Sequence, residues 1–146
     1  MTTNEPLVSE FLVAACAPRD SGHATGTLER ANALLEAHPE IASASIHTAA
    51  VLGDDAGVRR FLARDASNAT AKGGPHGWDA LTHLCFSRYL RLDRARSDTF
   101  VRAATALLDA GADPNTGWHE AEHEPSPSWE SAIYGVAAYL LRRDNA

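Results

Sequence analysis

The segment His119-Glu120-Ala121-Glu122-His123 comes nearest to a known chemistry. In the pattern H-E-x-x-H, two histidines at i and i+4 share one helix face and can bind zinc, while the glutamate acts as general base. That chemistry requires a helix. Here a turn-rich stretch, Gly111 to Gly117, precedes the motif, and Pro125 and Pro127 follow it. Little helix fits between them, and no apolar face would hold it. No third ligand is evident in the residues that follow. The segment reads as a solvated acidic loop, with no metal and no cofactor expected. A metal-dependent hydrolase centred on His119, Glu120 and His123 is the alternative.

Other reactive patterns are weaker. Lys72-Gly73-Gly74-Pro75-His76-Gly77 is glycine-rich but lacks the closing Lys-Ser/Thr of a phosphate loop, and fits a turn better. His83 and Cys85 are two apart, so on a helix they point in different directions and do not form a nucleophile pair. Leu12-Val13-Ala14-Ala15-Cys16 looks like a lipoprotein cleavage site, but Glu5 and Glu10 precede it without Lys or Arg. The two cysteines read as small buried hydrophobes, too far apart to bridge, in a reducing, cytoplasmic setting. No run approaches the length of a membrane span, and no membrane contact is expected.

The elements around these residues are helical. Apolar residues make up 45% of the 146 and charged residues 22%, ordinary values for one globular domain. Helix formers dominate, and runs of Val, Ile or Thr that would propose strands are few. Apolar segments at Phe11 to Cys16, Ile46 to Gly53 and Asp79 to Cys85 are followed by second helices at Leu28 to Ala37, Ala56 to Arg64 and Thr99 to Ala110. Gly111 supplies a left-handed helix stop, and Asp113-Pro114-Asn115 is turn chemistry.

Leu107-Leu108-Asp109-Ala110-Gly111-Ala112-Asp113-Pro114-Asn115 resembles the end of an ankyrin repeat, "LLxxGADxN", where a second helix passes into the next finger loop. The first-helix segments resemble the "TPLHxAA" motif of the same family, about one repeat period apart. The resemblance covers three repeats, approximately 7–41, 42–76 and 77–115, with a partial repeat at 129–146. It implies an all-α helical solenoid with finger loops in a single domain, 1–146. His47 matches the motif's histidine, which in the family ties loop backbone to the first helix; Thr82 and Tyr134 stand at the matching positions. The first repeat has His38-Pro39-Glu40 in place of the Gly-Ala-Asp turn, and the first and third carry insertions between their helices.

This resemblance implies a noncatalytic scaffold for a protein partner. Trp78, Trp118 and Trp129 fall in or beside the finger loops, and the last finger is long. Trp78, Trp118, His119 and Trp129 are the expected anchors. Val51, Leu52, Phe86 and Ser87 match the family's variable first-helix sites and form the expected floor. Arg88, Arg91, Arg94, Arg96 and Arg102 crowd the insertion of the third repeat and offer a nucleic-acid adaptor as a further alternative. The net charge of -6 argues against it and favours a helix extension with its arginine heads in water. Ile133, Val136, Ala137 and Leu140 recur at helical spacing on a first helix expected from Ser131 to Leu141. With no second helix to cover it, this partial repeat is expected to be frayed, or buried by a partner or by a second copy through self-association, unless the natural chain continued beyond it.

The metal reading is tested directly. Purified protein should carry no equimolar zinc, and chelation should leave its thermal midpoint in place; a large drop would reveal a metal coupled to folding.

Overall fold

The computed structural model describes residues 5–16, 27–120 and 128–131, with 117–120 and 128–131 as backbone alone. The described residues are mostly helical. Helices α1 (Glu5–Ala15) and α2 (Glu29–Ala37) pack together, as do α3 (Ile46–Val51) and α4 (Asp55–Arg64). Helix α5 (Ala80–Cys85) is followed by a short α6 (Arg88–Leu92) and then by α7 (Ser97–Asp109). Helix α3 lies between α1 and α5, and α4 lies against α7. One apolar cluster runs from Phe11 and Leu12 through Ala49, Ala50 and Val51 to Leu84, Phe100 and Leu107.

Local chemistry fixes the helix ends. Ser45 and Thr48 form a reciprocal capping box at the start of α3. Asp79 caps α5, its Oδ1 accepting from the Thr82 amide at 2.9 Å and the Thr82 hydroxyl at 2.7 Å. Helix α7 ends as expected: Gly111 has φ +107°, and Ala112 N donates to Leu107 O at 3.0 Å, closing the last turn. Asp113 Oδ1 accepts from Asn115 N at 2.8 Å to shape the turn beyond.

Three expectations change. First, the caps place Ser45 opposite Asp79 and Thr48 opposite Thr82, 34 positions apart (82 − 48), so the pairing of His47 with Thr82 is one residue out of phase. Second, the segment expected to open a helix at Ser131 is extended there. Strands β1 (Gly117–Glu120) and β2 (Ser128–Ser131) pair antiparallel, with His119 opposite Trp129. Ser131 thus ends a strand rather than opening a helix; residues 132–146, with the apolar stripe of the expected partial repeat, lie outside the described residues. Third, the insertion of the third unit does not hold its arginine heads in water as expected. It folds back onto α1 and α2.

That insertion supplies partners for helix ends. The last carbonyls of a helix have no partner within it. Arg88 Nη1 donates to Ala14 O at the end of α1 (3.0 Å). Ser87 Oγ donates to Val51 O at the end of α3 (2.5 Å), and Arg96 Nη1 donates to Leu52 O (2.9 Å). Tyr89, fully buried, donates its hydroxyl to Asn32 Oδ1 on α2 (2.6 Å) and packs 6.5 Å from the Phe11 ring. The Arg96 guanidinium covers the Tyr89 ring at 4.8 Å.

Tyr89 is therefore the pin between the first hairpin and the insertion. Tyr89→Phe, which removes the hydroxyl alone, should cost about 1 kcal/mol in urea unfolding. Tyr89→Ala, which also opens a cavity, should cost about 3–5 kcal/mol. Equal, small losses for both would show that the ring is not held between the two units.

Candidate functional site

The described part of the edge carrying the finger turns is built from residues 70–78, 116–120 and 128–131. In the first finger, Gly73 N donates to Trp78 O at 3.0 Å, closing a short turn over 74–77. The His76 ring stacks on Trp78 at 4.3 Å. His47 Nε2 lies 2.9 Å from Ala71 O, so a side chain of α3 holds the finger's backbone. A carbonyl only accepts, so Nε2 is the donor in this bond.

The second finger is rooted on a buried carboxylate. Thr116 Oγ1 donates to Asp79 Oδ2 at 2.7 Å, while Oδ1 of the same group caps α5. Asp79 is nearly inaccessible, yet hydroxyl and amide donors meet both of its oxygens. One side chain thereby fixes the start of α5 and the base of the hairpin that follows α7.

The expected binding residues separate into two groups. Trp118, His119 and Trp129 come together on the β1–β2 hairpin, Trp118 opposite Glu130 and His119 opposite Trp129. Trp78 is only 4% exposed, wedged by His76, the edge of His83 (5.5 Å) and Phe86 (5.6 Å), so it braces the first finger from inside. The expected floor is core. Val51, Phe86 and Ser87 are fully buried and Leu52 nearly so. Packing of α5 and the insertion against α3 covers these positions, so they face neighbouring helices and not a groove.

The arginine cluster is largely spent inside the fold. Arg88 and Arg96 donate to helix-end carbonyls, as described, and buried Arg91 lies over the Phe86 ring at 5.9 Å. Arg102 pairs with Asp55 at 3.3 Å, beside Arg59 on the same carboxylate at 2.8 Å. Arg94 is exposed. Missing from the sequence reading was the demand that drew these arginines inward: short helices whose terminal carbonyls need donors.

Cys16 and Cys85 are both free and buried, and burial pushes both thiols up to about 12, against the pull of nearby Arg91. Neither is a thiolate nucleophile at neutral pH. Cys16 nevertheless sits nearer the third unit than a simple stack implies, since its backbone bridges Ser87. His119 and Glu120 lie on a strand, so the helical face needed by H-E-x-x-H does not form at its first two residues; Ala121, Glu122 and His123 lie outside the described residues. Among the described residues, no three His, Cys, Asp or Glu side chains converge to hold a metal, and no helix is long and apolar enough to cross a membrane. Comparison of the chain with protein-family models, curated proteins and solved structures finds no match.

His83, which the sequence suggests is a helix-packing or partly exposed residue, is fully buried at the centre of this edge. Its Nδ1 lies 2.9 Å from Asp79 O, its Nε2 has no protein partner, and its ring stands 5.0 Å from His47. Burial, followed by the neighbouring His47, lowers its pKa from 6.5 to about 3. The folded state therefore holds His83 neutral where the unfolded chain takes up a proton. Stability is unaffected by this group above about pH 6.5 and falls as pH drops from there towards 3, by up to about 1.4 kcal/mol per pH unit. Urea midpoints measured from pH 7 to 4.5 should decline, and His83→Gln should flatten that decline. An unchanged slope in the variant would show that His83 protonates without cost.

Proposed function

We propose that this chain is an ankyrin-type helical-repeat scaffold that binds a protein partner without catalysing a reaction. One observation supports the reading: the first finger turn and the base of the β1–β2 hairpin are each held by a buried side chain, His47 to Ala71 O and Asp79 to Thr116. Turns fixed in this way present a preformed surface and lose little entropy on binding. Rigid scaffolds with loops on one edge are a common basis for recognition.

In this reading Trp118, His119 and Trp129 are the anchors on the second finger, and exposed His76 is the contact residue of the first, braced by Trp78. Val51, Leu52, Phe86 and Ser87 belong to the core that supports them. Two free buried thiols fit a reducing, cytoplasmic setting. The segment from 129 to 146 is the proposed place of self-association. The arginines that would serve a nucleic-acid adaptor are mostly engaged within the fold, which favours a protein partner.

The test compares the parent chain with a Trp118→Ala/Trp129→Ala variant. A protein captured by the parent and then purified should form a defined complex by light scattering. The double variant should bind it at least about tenfold more weakly with unchanged circular dichroism. Equal affinity of parent and variant would overturn the assignment to this hairpin.

A further inference from the structure

The first finger closes over a cluster of imidazoles. His83 on α5 is fully buried, with the ring of His47 on α3 at 5.0 Å and that of His76 on the finger at 6.5 Å. Its Nδ1 is satisfied by Asp79 O at the start of α5, and its Nε2 meets no hydrogen-bond partner. The finger itself lies over that nitrogen. A Cβ added to Gly74 would stand 3.1 Å from His83 Nε2 and 3.0 Å from Leu12 Cδ1 of α1. Gly74 and Gly77 take left-handed φ of +76° and +67°, and Lys72 and residues 74–77 are exposed. A turn with so little buried surface opens more readily than the helices behind it.

The charges around the ring do little to welcome a proton. His47 from α3 and His76 from the finger both oppose one, and Lys72 has the same sign. On α5, Asp79 favours a proton but is the weakest of these influences, and its oxygens already accept from Thr82 and Thr116. The Cys85 thiol is buried and neutral. From α1 the contact is Leu12, while Glu5 and Glu40 line a groove at His47 and neither bonds the His83 ring. The turn at Ala66–Ala69 carries no titratable group, and the buried face of α7 carries only Phe100, Ala103 and Leu107.

We propose that the first finger is an acid-operated latch: a proton on His83 Nε2 releases residues 71–77 from α3 and α5 while the helices stay packed. A protonated Nε2 becomes a donor, and the closed finger offers it no acceptor. Once Gly74 lifts, water supplies one. Global unfolding takes up the same proton, but lifting the finger breaks far fewer contacts. The closed finger keeps its full advantage above about pH 6.5, the ordinary value for a solvated imidazole, and loses it about tenfold for each pH unit below. In the scaffold reading the latch withdraws one contact from a partner as pH falls; the latch itself does not depend on that reading.

The experiment is native-state hydrogen exchange on the ¹⁵N-labelled full chain from pH 7 to 4.5, each amide rate divided by that of an unstructured chain. Gly73 N, bonded to Trp78 O, reports the finger, and the Ala103 and Leu107 amides of α7 report global unfolding. Gly73 should be less protected than α7 at every pH, and its protection should fall about 100-fold between pH 6.5 and 4.5 with unchanged far-UV circular dichroism. His83→Gln should abolish that fall. Gly74→Ala presses a Cβ towards His83 in a left-handed backbone, and should lower Gly73 protection at pH 7 by about tenfold or more. This second variant tests the latch even where His83→Gln does not fold. Gly73 protection that is independent of pH, that equals the protection of α7, that keeps its pH slope in His83→Gln, or that is unmoved by Gly74→Ala would overturn the proposal.

Discussion

The shortness of α3 and α5 sets the terms for the rest of the fold. Each has six residues. A helix of that length cannot persist on its own propensity, and most of its carbonyls lie in the terminal turn where no intrahelical donor reaches them. Two things compensate. All six side chains of each helix are buried, so packing supplies the stability that length does not. The insertion then delivers donors to the carbonyl ends: Ser87 and Arg96 to α3, and Arg88 to α1. Guanidinium groups suit this task, because they place a positive charge at the negative end of a helix while satisfying its acceptors.

The same economy operates at the opposite ends of these helices. Asp79 caps α5 with one oxygen and holds Thr116 with the other, so the start of the helix and the root of the β1–β2 hairpin share a single group. The next residues along α5 bring His83 beneath the first finger, where its ring supports Trp78 and lies against His47. Core packing and the geometry of the finger edge are therefore the same set of contacts. A substitution at Asp79 disturbs both, and the surface cannot be altered at its base without a cost in stability.

Helix positions were legible in the sequence because apolar spacing and capping residues act within a few residues of one another. The stop at Gly111 and the Asp113 turn are local, and both appear as their residue types imply. His47 was legible as a tie to loop backbone, although the cap geometry shifts its repeat phase by one. The roles of Arg88, Arg96 and Tyr89 were not legible, because their partners Ala14, Leu52 and Asn32 lie 74, 44 and 57 residues away. A dense run of arginines looks the same in sequence whether it faces water or the ends of buried helices. The burial of Val51, Leu52, Phe86 and Ser87 was hidden for a related reason: an insertion that folds back covers positions which a regular stack leaves open.

That fold-back also changes how the chain holds together. In a simple stack each unit touches only its neighbours, and stability is a sum of local and nearest-neighbour contributions. Here Arg88, Tyr89 and the Cys16–Ser87 bridge join the first hairpin to the third unit across the second. These contacts close a loop of interactions, so loosening α1 and α2 exposes Tyr89 and leaves the end of α1 without its donor. With few units to share the load, such closure makes separate fraying of the first hairpin less favourable. The long-range bonds of the insertion thus hold the first hairpin and the third unit in one arrangement.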